Sequence, residues 1–199
     1  MTDAPAPAPP PHRPRSAIVI GASAGAVEAL LALLPTLSVD SPPILVAVHV
    51  PPDRDNMLVP LLQARCGLRI KEAEDKEPAL PGTVYFAPPD YHLLVEQSGD
   101  LALSSDEAVH YSRPSIDVLF ESAADAWGAG LAGVILTGAN DDGAAGLAAV
   151  ARAGGLALVQ DPDQAAAPAM PEAALAACPT AQAFSLDALT ARLADWSAG

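Results

Sequence analysis

Four apolar runs, at residues 17–20, 44–49, 132–137 and 155–160, are separated by stretches with helical spacing. That alternation narrows the folds open to the chain more than any other feature. A strand with one face in water alternates apolar and polar side chains, whereas a strand that is apolar throughout has both faces covered. Segments such as ILVAVHV and GVILTG therefore predict buried parallel strands. Predicted helices at 25–34, 54–65, 115–127, 143–153, 170–177 and 186–196 supply the covering layers. Pro35, Gly67, Gly128 and Gly154 are the stops, and Ser115 is the N-cap of the third helix with Asp117 in its first turn. The middle of the chain differs. Residues 82–86 and 92–103 read as short strands turning at Pro88-Pro89-Asp90 and Ser98-Gly99-Asp100, a hairpin pattern that implies antiparallel pairing. The expected fold class is α/β: a three-layer, doubly wound, mainly parallel sheet with an antiparallel ribbon at one edge.

A length of 199 residues, 51% of them hydrophobic, suits one such domain with a substantial core. Residues 1–15 carry six prolines and little that packs, so they are expected to form a disordered tail, with residues 16–199 as the folded domain. No apolar run approaches the roughly 20 residues that cross a bilayer. The N-terminus has no apolar core of the signal-peptide kind, and a cytoplasmic location is expected. Cys66 and Cys178 lack metal or redox spacing and read as reduced packing residues. The formal charge of −14 excludes nucleic acid as the main partner, because phosphate contacts need clustered Lys and Arg.

In an open parallel sheet, ligands gather outside the carboxyl ends of the strands. Three such ends carry groups suited to one mechanism. The run IVIGASAG contains Gly21, Ser23 and Gly25 in a G-x-S-x-G element that opens into a helix, the pattern of a nucleophile elbow. His49 ends the second apolar run. The third leads into Ala139-Asn140-Asp141-Asp142-Gly143. Singly, the serine is a turn residue, the histidine a core or loop residue, and the aspartates helix caps. Together they are the parts of a hydrolytic triad, in which imidazole takes the serine proton and a carboxylate fixes the imidazole tautomer. The backbone amide of Ala24, at the helix start, is placed to donate to an oxyanion. The order Ser, His, Asp differs from the Ser, Asp, His order of α/β-hydrolases and disfavours that family. A nucleotide-binding reading also fails, because residues 21–25 do not spell G-x-G-x-x-G. His12, His92, His110 and Glu28 read as tail, packing or surface residues, and Arg113 as an anchor of the third helix's start, with a reach into the cleft as the alternative.

From about Ala17 to Ala177 the chain resembles the catalytic domain of the chemotaxis protein-glutamate methylesterases, the CheB family. The resemblance is carried by IGASAG, VHVPP, PGTVYFAPPDYHLLV, RPSIDVLF, LTGANDDGAAGL, GGLALVQDP and AMPEAAL, in that order. It implies Ser23, His49 and Asp142 as the catalytic triad, with Asp141 a neighbour. The implied reaction is hydrolysis of glutamate γ-methyl esters on chemoreceptor signalling helices, with deamidation of receptor glutamines as a second activity. Neither a metal nor an organic cofactor is implied. The sequence departs from the family at Ala26, where a second glycine is usual, and at Ala139-Asn140, where Met-Gly is frequent. The histidine loop PPDRDNM lacks a common Phe-Thr pair. The fifteen residues before the esterase segment are too few for the receiver domain of familiar members, and with Met1 as the natural start the expectation is a stand-alone enzyme, constitutively active or controlled by a separate protein. A non-catalytic docking or regulatory module in a chemosensory pathway is the alternative.

Overall fold

The computed structural model describes residues 14, 16–49 and 57–197. All but Pro14 of the expected tail, and most of the histidine loop, lie outside the described residues. The apolar runs form strands β1 (Ala17–Ala22), β2 (Ile44–Val48), β7 (Leu131–Ile135) and β8 (Leu156–Gln160). Every residue of β1, β2 and β7 is buried, as strands covered on both faces require. With β3 (Arg69–Glu72), β4 (Thr83–Phe86) and β9 (Gln182–Phe184) they make a seven-stranded parallel sheet, ordered β3-β4-β2-β1-β7-β8-β9.

Side chains of one strand alternate between two cores. Val19 and Leu45 point to the face covered by α3 (Ile116–Trp127), α4 (Ala144–Arg152) and α5 (Ala169–Ala177). Ile18, Ile20 and Val46 point to the other face, where α1 (Ala26–Leu33), α2 (Leu58–Gln63) and α6 (Leu186–Ser197) lie. The three-layer doubly wound architecture is therefore as the sequence predicts.

The antiparallel ribbon exists as β5 (His92–Val95) and β6 (Leu101–Ser104), turning at the expected Ser98-Gly99-Asp100. It is a separate two-stranded sheet packed against α3 and not an extension of the main sheet. Residues 83–86, which the hairpin pattern grouped with the ribbon, form a fully buried parallel strand between β3 and β2. Burial on both faces explains that assignment; the Pro88-Pro89-Asp90 turn follows the strand without folding it into a hairpin.

In the sheet order, β1 lies between β2 on one side and β7 on the other. The chain winds away from β1 in both directions, so the crevice at the carboxyl ends of β2, β1 and β7 is the topological switch point where ligands bind. Ser23, His49 and Asp142 all follow those three strands.

Candidate active site

Ser23 leaves β1 with its backbone already committed. Its amide donates to Thr137 O at 2.9 Å, and its carbonyl accepts from Ala26 N at 3.0 Å. Gly25 completes the turn at φ 82°, and a Cβ there would stand 2.7 Å from Ala166 Cβ, so both conformation and space call for glycine. Ala26, by contrast, is the first residue of α1, right-handed and buried, and its methyl group fits where the family usually has glycine. Thr137, which the sequence does not mark, clamps the elbow: its hydroxyl donates to Ala24 O at 2.8 Å and accepts from Ala167 N at 2.8 Å. Among the described residues the Ala24 amide has no acceptor, which leaves it free for a ligand oxygen.

His49 sits one residue beyond the register pair Ala22–Val48, beside Ser23 across the strand ends. Its own amide donates to Ala22 O at 3.3 Å. From there the imidazole reaches Asp142, with Nε2 2.8 Å from Oδ2. The structure thus joins His49 to Asp142 directly, with Ser23 between their strands. The Ser23 hydroxyl itself makes no hydrogen bond among the described residues.

Asp142 is fully buried, which for a carboxylate demands complete pairing. Oδ1 accepts from Ser115 Oγ at 2.9 Å and Asp117 N at 3.0 Å. Oδ2 accepts from Ile116 N at 2.7 Å and from the His49 ring. Those contacts fill the four lone-pair sites of an ionised carboxylate. Two of the donors are the first amides of α3, so the positive end of the helix also faces the charge. Burial by itself pushes the Asp142 pKa up. The bonds from His49, Asp117, Ile116 and Ser115 together outweigh it and hold the carboxyl below its usual range. With Asp142 ionised and accepting from Nε2, the proton of the neutral imidazole stays on Nε2. The basic lone pair is then on Nδ1.

Ser115 is the N-cap that the sequence predicts, its side chain accepting from Val118 N. Its hydroxyl has the further task of donating to Asp142, visible only once the loop after β7 is folded against α3. Of the two readings of His92, packing is the one the structure shows. The residue is buried on β5, accepts from Ser115 N through Nδ1 at 3.1 Å and contacts Glu107 O through Nε2 at 3.1 Å, tying the ribbon to the helix start. His110 is exposed, 3.8 Å from the Asp117 carboxylate. Arg113 holds the loops rather than the helix start: Nε donates to Asp90 Oδ1 at 3.0 Å and Nη1 to the carbonyls of Ser105 and Asp106, each at 2.9 Å. Glu28 faces solvent, and Cys66 and Cys178 are buried free thiols. A cavity of about 350 Å³ opens beside His49, lined also by Asp90, Tyr111, Ser112, Arg113 and Pro114. No group of three metal-ligating side chains converges among the described residues, and none of their helices is long and apolar enough to cross a membrane.

Comparison with known proteins gives the same picture from outside the chain. The family model described as CheB methylesterase matches residues 18–193. A provisionally named protein-glutamate methylesterase/protein-glutamine glutaminase of Leptospira interrogans is 46% identical over 172 residues, 86% of this chain and 89% of the relative. Proteins named protein-glutamate methylesterase/protein-glutamine glutaminase from Bordetella parapertussis and, with the number 1, from Geobacter metallireducens are 42% and 40% identical. Those matches cover 80% and 90% of this chain but only 47% and 50% of the relatives, so the chain spans about half of their length. The crystal structure of the Thermotoga maritima CheB methylesterase catalytic domain superposes with a TM-score of 0.85 at 30% identity, covering 90% of this chain and 97% of that one. The matched span takes in all three strand ends of the crevice and the helix that holds Asp142, so kinship and geometry fall on the same residues: the chain belongs to the CheB methylesterase family.

Proposed function

We propose that the chain is a serine hydrolase that removes methyl esters from glutamate side chains of chemoreceptor signalling helices, and that it also deamidates receptor glutamines. Family membership supports the reaction class, and the His49–Asp142 pair beside Ser23 supports the assignment of roles. In this reading Ser23 Oγ attacks the ester carbonyl while His49 Nδ1 takes its proton. Ala24 N donates to the oxyanion, and the proton passes to the departing methoxide to give methanol. Water then hydrolyses the acyl-enzyme by the same route, leaving glutamate. An amide substrate follows the same course with ammonia as leaving group.

The observation that carries the reading is the buried, fully satisfied Asp142 bonded to His49. Burying a charge costs several kcal/mol unless every lone pair is answered. A docking module has no use for a carboxylate held that way against an imidazole at a strand end. The cytoplasmic location expected from the sequence belongs to the same proposal, as the place where such helices are met.

The test uses purified protein and a methylated receptor fragment. Methanol release is expected from the native chain and is abolished by Ser23→Ala, and a fluorophosphonate labels Ser23. Release that persists unchanged in Ser23→Ala overturns the reading.

A further inference from the structure

Asn140 is a residue to which the triad assigns no task. It stands in the loop after β7, a strand on the other side of β1 from β2, and its Nδ2 lies 3.3 Å from His49 Nδ1. That nitrogen is the one that must take the serine proton, since Nε2 is engaged by Asp142. The Asn140 amide therefore sits at the lone pair of the base in this reading. On the same amide, Oδ1 is buried and has no hydrogen-bond partner among the described residues. A buried polar atom left unpaired is costly and rare, and where it persists it asks for a reason.

The two observations describe one dipole. The carbonyl oxygen is buried and the N–H group faces His49, so the positive pole of the amide lies on the side of the base. Side-chain amide donors are among the groups that stabilise an oxyanion in acyl transfer. The contact with Nδ1 does not oppose this use. At 3.3 Å it lies at the long end of the hydrogen-bond range and is readily given up when the Ser23 hydroxyl takes the lone pair.

We propose that the Asn140 side-chain amide is a catalytic oxyanion donor, parked on His49 Nδ1 in the resting site and transferred to the substrate oxygen as Ser23 attacks. In that step the Oγ–carbon bond forms, the serine proton moves to Nδ1, and the carbonyl π pair becomes the oxyanion. Asn140 Nδ2–H and Ala24 N–H donate to it without transferring a proton. The proposal rests on the hydrolase reading above.

The experiment compares the native chain with Asn140→Ala and Asn140→Asp in steady-state hydrolysis of a methylated receptor fragment. It also measures inhibition by a receptor peptide whose target side chain ends in a boronic acid. For Asn140→Ala the expected result is a loss in kcat of about 100- to 1000-fold with KM little changed. Boronate binding should weaken by a similar factor, while the glutamate product peptide binds as it does to the native chain. Asn140→Asp, which keeps the shape and removes the donor, should lose at least as much. Should Asn140→Ala not fold, Asn140→Asp and Asn140→Gly carry the test. A kcat that falls less than about tenfold, or rises because the base has been unblocked, overturns the proposal, as does a loss confined to KM. If the native chain shows no Ser23-dependent hydrolysis, the hydrolase reading falls and takes this one with it. If it does and the Asn140 variants match it, only the oxyanion role falls.

Discussion

Two aspartates meet at the start of α3, where the Asp117 amide donates to Asp142 Oδ1, and their surroundings drive them in opposite directions. Asp142 is held below the usual carboxylate range by its donors. Asp117 is pushed above it, chiefly by burial, with the Asp142 charge adding to the effect and the Gly146 amide, 2.6 Å from Oδ1, only partly compensating. The signs for stability follow by linkage. The Asp142 contribution is fully present above its unfolded pKa and disappears as pH falls through its lower folded value. Asp117 does the reverse: its ionised form is a burden at neutral pH, relieved as pH falls through its raised folded value towards the ordinary carboxylate range. Asp117→Asn keeps an oxygen for Gly146 N and removes the charge. It is expected to raise Tm at pH 7 by a few degrees and to flatten the change in Tm between neutral pH and about pH 4. Scanning calorimetry across that interval checks it, and a Tm at pH 7 below that of the native chain refutes it. At this scale Ser23, His49 and Asp142 were legible because each closes or follows an apolar run and their order is distinctive. Asn140 and Thr137 were not. Each acts by reaching across a neighbouring strand end, and no spacing along the chain records which atom it will meet.

The element that most shapes the site is the start of α3. Its first amides hold Asp142, its N-cap hydroxyl adds a third donor, and its own amide is received by His92 from the ribbon. The ribbon, to which the sequence gives no catalytic part, thus steadies the helix end that holds Asp142. Ser115→Ala removes both the cap and one donor to a buried charge. A destabilisation of about 1–2 kcal/mol is expected from urea unfolding, with kcat lowered and KM preserved, and Ser115→Thr restoring much of both. Loss of stability without loss of kcat would show that the cap alone matters. Gly143, at φ 95° before α4, marks the other side of the same junction, where a Cβ would stand 2.6 Å from both Ile116 and Ile135 side-chain atoms. Element by element, the sequence was clearest where burial is greatest. Strands β1, β2, β7 and β8 are uninterrupted apolar runs. The edge strands β3 (RIKE) and β9 (QAF) are short and partly exposed, so they carry no such signature and were missed. Strand β4 was seen but given the wrong neighbours, because a local turn signal cannot report that the chain will cross to the middle of a sheet.

Across the whole molecule, 24 acidic residues face 10 basic ones, an excess of fourteen negative charges that the fold must hold together. The ion pairs among the described residues use several of the few cations. Lys71 binds Glu74 and Glu77, Lys76 binds Glu96, and Arg113 binds Asp90. Glu74, Lys76, Glu96 and Asp90 are largely exposed, and exposed pairs contribute at most about 1 kcal/mol each. Salt weakens these few attractions and the far more numerous repulsions alike, since the Debye length shrinks from about 30 Å at 0.01 M to about 8 Å at 0.15 M. Because a compact chain of one dominant sign repels itself, the repulsive part is the larger loss. Raising sodium chloride from about 0.01 M to 0.15 M is therefore expected to increase Tm, most of the gain coming within that interval, where the screening length falls below the spacing of surface charges. Chloride is the right salt, because sulfate strengthens apolar burial on its own account and would confuse the two effects. A Tm that falls over the same range would mean that the Lys71, Lys76 and Arg113 pairs outweigh the global excess, and single replacements of those three residues would then have to abolish the salt response.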